Sequence, residues 1–159
     1  MELTEAIAEA TRAYLCGRMS WIPQFNFPAF DHAAVDLRQR EDAEGKPEWI
    51  IVSPAELDDP ETRKAALASK DGNPNRNPHK GQTWGDFLAR DLKLIADEGI
   101  ETIICLPEWW KSEGGRIEVF TACLPHLGLP VLKYPNLRPV TKTEYQKAYR
   151  FLLHRMGLV

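Results

Sequence analysis

The chain has 159 residues, of which 43% are hydrophobic, so it is long enough to bury one core and too short for two ordinary domains. We therefore expect residues 1–159 to form a single domain. Its 20 basic and 23 acidic residues nearly balance, and the sequence pI is near 5.8, which argues against polymeric nucleic acid or an anionic membrane as a partner.

The cysteine pattern indicates a reducing compartment. Cys16, Cys105 and Cys123 are odd in number, far apart and without a Cys-x-x-Cys spacing, which is typical of reduced thiols rather than disulfides or zinc ligands. The first residues lack a basic stretch followed by an apolar core, and no apolar run approaches ~18 residues. We therefore expect a soluble, cytoplasmic chain with no membrane span.

Taken in chain order, hydrophobic periodicity predicts helices that alternate with short buried strands. The helices are predicted at residues 3–12, 30–42, 84–99, 115–127 and 142–157. The strands are predicted at residues 13–17, 48–57, 101–107 and 128–134. The stretch SKDGNPNRNPHKGQT, residues 69–83, is rich in Gly, Pro and Asn and is predicted to be an exposed loop, either a lid over a site or a plain surface connection.

This alternation predicts an α/β fold: a Rossmann-like or flavodoxin-like three-layer domain with a mostly parallel sheet of four or five strands. Ligands of such sheets bind beyond the carboxyl ends of the strands. Two loops with unusual chemistry leave those ends, GRMSWIPQFNFP at residues 17–28 and PEWWKSEGG at residues 107–115. We expect the functional site in these loops.

The segment SEGGRIE, residues 112–118, joins a predicted loop to a predicted helix. Its hydroxyl and free backbone N–H groups favour a bound phosphate or carboxylate. Glu118 follows Gly114 by about one helical turn, so we expect the positive helix end to keep its carboxylate ionised and available as a nucleophile. The alternative is that Ser112 is only the N-cap and Glu118 a first-turn acid that stabilises its own helix.

The segments YLCGRMS, NFPAFDHAAVDLR, RDL, ICLPEWWKSEGGRIE and GLPV, in this order and spacing, resemble the nucleoside 2-deoxyribosyltransferase superfamily, notably its branch of small phage and bacterial proteins. The Ser-x-Gly-x-x-x-Glu pattern of Ser112, Gly114 and Glu118 is similar to the members that hydrolyse the N-glycosidic bond of nucleoside 5'-monophosphates. The resemblance implies that the serine and glycine hold the phosphate and that Glu118 attacks the anomeric carbon. It also implies that Asp91 contacts sugar or base and that Tyr14 orients the nucleophile.

The loop after the first strand is implied to lie on the nucleotide as well. Similar hydrolases often carry a Gly-Ser-Ile-Arg-Gly loop where this chain has GRMSW, so Ser20 stands in place of the expected arginine and Arg18 is predicted to take its role. Trp21 or Trp109 is predicted to stack on the base, with core packing as the alternative. The predicted substrate-binding residues are Gly17, Arg18, Ser20, Asn26, Trp109, Ser112, Gly114 and Gly115.

The predicted function is therefore a hydrolase that releases the base from a (deoxy)nucleoside 5'-monophosphate, with Glu118, Asp91 and Tyr14 as its catalytic residues. The alternatives are a deoxyribosyltransferase that exchanges bases and a non-catalytic binder of a nucleotide-derived signal. The four histidines lack metal-ligand spacing, so neither a metal nor another cofactor is expected. The expected partners are the nucleotide and a second copy of the chain, because enzymes of this kind complete each pocket with residues from a neighbour.

Overall fold

The computed structural model describes residues 9–76 and 81–159. Its strands and helices alternate in most of the described chain. The strands are β1 (Thr11–Cys16), β2 (Trp49–Val52), β3 (Thr102–Cys105), β4 (Val131–Lys133) and β5 (Arg138–Pro139). The helices are α1 (Phe27–Arg38), α2 (Pro60–Leu67), α3 (Trp84–Asp97), α4 (Glu113–Ala122) and α5 (Lys142–Arg155).

The five strands form one sheet in the order β2-β1-β3-β4-β5. The pairs β1–β2, β1–β3 and β3–β4 are parallel, and only the short β5 runs antiparallel to its neighbour. The order is that of flavodoxin-like sheets, in which the chain changes direction across the sheet between β1 and β3. The predicted fold class, a three-layer α/β domain with a mostly parallel sheet, is confirmed.

Strand β1 divides the core between the two faces of the sheet because successive side chains point to opposite sides. Ala13 and Leu15 belong to the apolar cluster formed with α1. Tyr14 and Cys16 belong to the cluster on the other face, which includes buried residues of α3, α4 and α5. A strand buried on both faces explains why its sequence reads as an uninterrupted apolar run.

Several predicted boundaries are wrong. Residues 11 and 12, predicted as the end of a helix at 3–12, are strand because Thr11 pairs with Trp49 in the parallel register; the start of that predicted helix lies outside the described residues. The predicted strand at 48–57 ends at Val52, and Pro54 opens a short helical turn instead.

Two elements were not predicted at all. Helix α2 begins after Asp59, whose side chain accepts hydrogen bonds from the amides of Glu61 and Thr62, with Pro60 in the first turn. This Asp-Pro start is a recognisable helix signal, but the helix buries only Thr62 and Ala66, so its apolar periodicity is weak. Strand β5 has two residues and pairs only through Leu132 and Lys133.

Among residues 9–76 and 81–159, no helix is both long and apolar enough to cross a bilayer.

Candidate active site

The loops after β1 and β3 lie side by side, because these strands are neighbours in the sheet and Cys16 pairs with Cys105 at their carboxyl ends. Both loops contain residues with left-handed backbone conformations. Trp21, Gln24, Phe25 and Asn26 have φ between 49° and 64°, and Glu108 has φ of 60°. Such strain in residues other than glycine is concentrated at functional sites in proteins. The strained loops thus mark the edge of the sheet at which α/β proteins bind ligands.

Glu118 is the sixth residue of α4 and turns inward, onto the sheet. Its exposed fraction is only 7%, and its Oε1 accepts a hydrogen bond of 3.1 Å from the Tyr14 hydroxyl. The alternative interpretation of Glu118 as a first-turn acid that stabilises its own helix is therefore wrong. The helix buries Val119 and Ala122, and that inward stripe also directs Glu118 toward β1.

The burial of Glu118 decides its charge. Desolvation raises the pKa of Glu118 from 4.5 to about 8, and the negative charge of Asp91 adds to the rise. Hydrogen bonds from Cys16 and Tyr14 and the charge of Arg90 act in the opposite direction. With a pKa of about 8 the carboxyl group is mostly protonated at pH 7, and the expectation that the helix dipole keeps it ionised is wrong. The favourable interaction of the carboxylate with the helix dipole is smaller than the free-energy cost of removing the carboxylate from water.

Asp91 is the second buried acid of the site. It is 8% exposed, and its Oδ1 accepts a hydrogen bond of 2.9 Å from Nε of Arg90. The same guanidinium donates to Oδ1 of Asp58 at 2.8 Å. Burial raises the pKa of Asp91 even though Arg90 opposes the rise. Two carboxyl groups with raised pKa values therefore face Tyr14, in a region from which water is largely excluded.

The hydroxyl of Tyr14 stays protonated and works as a donor. Burial raises its pKa well above 10.0, and the nearby Glu118 and Asp91 reinforce the rise. Tyr14 is completely buried in β1, so its ring is held by the core while its hydroxyl reaches the carboxyl groups. The structure thus brings together the three predicted catalytic residues, Tyr14, Asp91 and Glu118, which lie on three different elements.

The first turn of α4 has some of the features of an anion-binding site. The Ser112 side chain accepts a hydrogen bond of 3.0 Å from the amide of Gly115, so Ser112 is an N-cap, as the simpler interpretation stated. The hydroxyl proton of a serine in this role is still available to a ligand. The amides of the first two helical residues, Glu113 and Gly114, have no partner within a helix.

The two adjacent glycines have different roles. A side chain built on Gly114 would meet nothing within 4 Å, whereas one on Gly115 would lie 3.0 Å from Cβ of Ser112 and 3.1 Å from the carbonyl oxygen of Trp109. A side chain at Gly115 would therefore crowd the turn that packs closely against it. The space beside Gly114 is open and could take a side chain or part of a ligand.

The loop after β1 contains the remaining predicted ligand residues. Gly17 allows Leu106 and Phe30 to approach, since a Cβ at this position would lie 3.0 Å and 3.2 Å from their side chains. Arg18 is partly exposed and lies 3.5 Å from Glu108, at the opposite loop. Ser20 is half-buried in a turn. Arg18 thus lies between the two loops, where its side chain can form one wall of the candidate site.

Asn26 stabilises the loop rather than pointing freely toward a ligand. Its side-chain amide donates a hydrogen bond of 2.8 Å to the carbonyl oxygen of Arg18. Asn26 has a left-handed backbone conformation, which asparagine tolerates better than most residues. Its contribution is therefore to hold the Arg18 backbone in place.

Trp109 is completely buried and edge-on to both Trp110 and Tyr145. The expectation that Trp109 stacks on a base is corrected on this ground, because neither ring face is accessible. Trp109 follows the left-handed Glu108, and this turn directs its ring into the core. Trp21 is 59% exposed and remains the aromatic side chain with an accessible face in the loop after β1.

Part of the 69–83 loop packs on the loop after β1. The amide of Trp21 donates to the carbonyl of Gly72 at 2.7 Å, and the amide of Gln24 donates to the carbonyl of Ser69 at 2.8 Å. Arg76 pairs with Asp71. Lys80, another basic residue of this loop, lies outside the described residues. The described part of the loop therefore supports the strained backbone of residues 21–24.

Sequence reasoning missed Arg90, Asp58 and Cys16 as parts of the site. Arg90 precedes Asp91 in the chain and was interpreted only as a neighbouring charge, although an arginine beside a buried acid is a usable signal. Asp58 and Cys16 carry no such signal, because only the tertiary structure brings them close to Asp91 and Glu118. Within residues 9–76 and 81–159, no group of three or more His, Cys, Asp or Glu residues is arranged to hold a metal ion.

No protein-family model matches the chain, and no curated protein and no solved structure is significantly similar to it. The fold and the site define an α/β protein with two buried carboxyl groups and a tyrosine next to the point where the sheet order reverses. The resemblance to the deoxyribosyltransferase superfamily therefore stands on the sequence motifs alone.

Proposed function

We propose that the protein is a hydrolase that cleaves the N-glycosidic bond of a (deoxy)nucleoside 5'-monophosphate and releases the free base. The observation that carries the proposal is the hydrogen bond of 3.1 Å between Tyr14 and Glu118, two residues 104 positions apart in the chain. A tyrosine that orients a carboxyl group, with a second acid beside it, suits the two-carboxylate chemistry of glycosidic bond cleavage.

Glu118 is the nucleophile in this mechanism and Asp91 the general acid. As the base leaves, the Glu118 carboxylate attacks C1' of the sugar, and Asp91 supplies the proton that the departing base takes up. Water then attacks the glycosyl-enzyme ester with Asp91 as the base, which releases the sugar phosphate and restores Glu118. Overall, one nucleotide and one water give one free base and one sugar phosphate.

The neutral state of Glu118 at pH 7 in the free protein sets a condition on this mechanism. The carboxyl group must lose its proton before it attacks, and the positive charge that develops at C1' favours the ionised form. Two acids with raised pKa values, Asp91 and Glu118, are suited to hold a single proton between them. The proton that Glu118 holds in the free protein therefore passes to Asp91 before the attack, which leaves Glu118 as the ionised nucleophile and Asp91 as the acid.

The 5'-phosphate is proposed to bind at the N-terminus of α4. The open space at Gly114, the free amides of the first turn and the hydroxyl of Ser112 favour an anion there. Arg18 lies across the cleft, close to Glu108, and can move to pair with the phosphate. Monophosphates should therefore be better substrates than the corresponding nucleosides.

The decisive experiment incubates the protein with a panel of nucleosides and 5'-monophosphates and separates the products by chromatography, with and without a free acceptor base. Hydrolysis gives base and sugar phosphate, whereas a second base in the product nucleotide identifies a transferase. Glu118→Gln should lower the rate by several orders of magnitude, and Glu113→Gln, in the exposed first turn of the same helix, is the matched control. Equal turnover of the two variants would refute the proposal.

A non-catalytic binder is the second candidate, and the burial of Glu118 favours it. A carboxyl group that is 7% exposed and neutral at pH 7 is poorly prepared for attack without a conformational change. Calorimetry with the same 5'-monophosphates distinguishes the two functions. Tight binding without base release over hours would support the binder.

We also propose that the protein forms a homodimer. Phe151, Leu152 and Met156 near the carboxyl end of α5 are 41%, 39% and 61% exposed, and apolar side chains gathered in this way favour association. Light scattering at micromolar concentration tests the proposal. A monomeric mass with full activity would contradict it.

A further inference from the structure

Cys16 lies at the candidate site, although the apolar run around it in the sequence predicts only that it is buried. It follows Tyr14 by two positions in β1, so both side chains point to the same face of the sheet. Both are completely buried. The Cys16 thiol donates to the carbonyl oxygen of Gly115 at a distance of 3.5 Å, within the helical turn that precedes Glu118.

We propose that Cys16 is a positioning residue for Glu118: its thiol fixes the first turn of α4 against β1 and so holds the Glu118 carboxyl group opposite the Tyr14 hydroxyl. Gly115 is already held from the other side by the N-cap Ser112. The turn is therefore attached to the loop after β3 through Ser112 and to the sheet through Cys16. The catalytic consequence rests on the proposed role of Glu118 as nucleophile.

The neighbourhood of Glu118 explains why one weak hydrogen bond matters there. The charged and titratable groups around Glu118 and Cys16 come from three elements: Tyr14 on β1, Cys105 on β3, and Arg90 and Asp91 on α3. Burial and Asp91 raise the pKa of Glu118, whereas hydrogen bonding by Cys16 and Tyr14 lowers it. Loss of the contact between Cys16 and Gly115 loosens the helical turn that carries Glu118, so the carboxyl group is held less well opposite the Tyr14 hydroxyl that stabilises its charge.

Cys105 provides an internal control. It pairs with Cys16 in the register of the parallel strands β1 and β3. Both thiols are buried, so replacing either by alanine leaves a similar cavity. Only Cys16 reaches α4 by a hydrogen bond to Gly115.

The test compares Cys16→Ala, Cys16→Ser and Cys105→Ala with the wild type. The pKa of Glu118 is measured without substrate, by the ¹³C shift of its carboxyl group, assigned from the signal missing in Glu118→Gln. Cys16→Ala should raise this pKa and lower kcat/KM at pH 7 by roughly 5- to 10-fold, the effect of one modest hydrogen bond. Cys105→Ala should leave the titration of Glu118 unchanged.

Cys16→Ser keeps the proposal testable if the alanine variant does not fold. A hydroxyl can also donate to the carbonyl oxygen of Gly115 and is a stronger donor than a thiol, so Cys16→Ser should keep the pKa of Glu118 close to its wild-type value. An unchanged titration in Cys16→Ala, or an equal shift in Cys105→Ala, would overturn the positioning role. Because the titration needs no substrate, the two proposals can be tested separately. If Cys16→Ala shifts the pKa of Glu118 but the wild-type protein releases no base, the proposed function is refuted and the positioning role of Cys16 is retained.

Discussion

Replacing Glu118 by glutamine should change how the stability of the protein depends on pH. The carboxyl group has a pKa of 4.5 in its ordinary state and about 8 in the folded protein. Because the folded value is the higher one, the stability that the neutral carboxyl group contributes is complete below pH 4.5 and is lost as the pH rises through 8. Glutamine has a similar shape and can accept the hydrogen bond from Tyr14, but it does not titrate.

The size of the effect follows from the two pKa values. At about 1.36 kcal/mol for each pH unit between them, the full loss is about 5 kcal/mol, of which about 4 kcal/mol falls between pH 5 and pH 9. The free energy of unfolding of Glu118→Gln minus that of the wild type should therefore rise by about 4 kcal/mol over this range. This is a large fraction of the stability of an ordinary domain.

The assay is urea denaturation followed by tryptophan fluorescence at pH 5, 7 and 9. Glu113→Gln removes one carboxylate from the exposed start of the same helix and is the control for a change in net charge. A difference between wild type and Glu118→Gln that stays constant from pH 5 to pH 9 would refute the conclusion that Glu118 is buried in its neutral form.

Three further predictions concern the same cluster and the glycines of α4. Asp91→Asn should lower the pKa of Glu118, followed without substrate by the ¹³C shift of its carboxyl group, because the charge of Asp91 raises that pKa; a pKa that stays in place or rises contradicts the coupling. Tyr14→Phe should raise the same pKa and reduce kcat/KM about tenfold, because a hydrogen bond that lowers the pKa of Glu118 is lost; wild-type kinetics would exclude an orienting role. Gly115→Ala should destabilise the fold by roughly 1–3 kcal/mol through overpacking, whereas Gly114→Ala should leave the melting temperature unchanged or slightly raised and raise KM for monophosphates. Equal melting temperatures of the two alanine variants would contradict the packing difference.

The sequence determined the architecture because the relevant signals are local. The apolar runs of β1 and β3, the helical periodicity of residues 84–97 and the N-cap signal of Ser112 each follow from neighbouring residues. Alternation of such elements leaves few arrangements other than a mostly parallel sheet covered on both faces. The two loops singled out in advance do lie together, since the carboxyl ends of neighbouring parallel strands meet at one edge.

The tertiary structure decided the environment of each side chain, which no local pattern contains. Glu118 is neutral and Trp109 is inaccessible because α4 and the turn before it pack against the sheet, and that packing depends on residues far away in the chain. The link from Asp58 through Arg90 to Asp91 and the contact of Cys16 with Gly115 join segments that are separated by 32 and 99 residues. Charge and access depend on how much water remains around a group, and only the folded chain sets that amount.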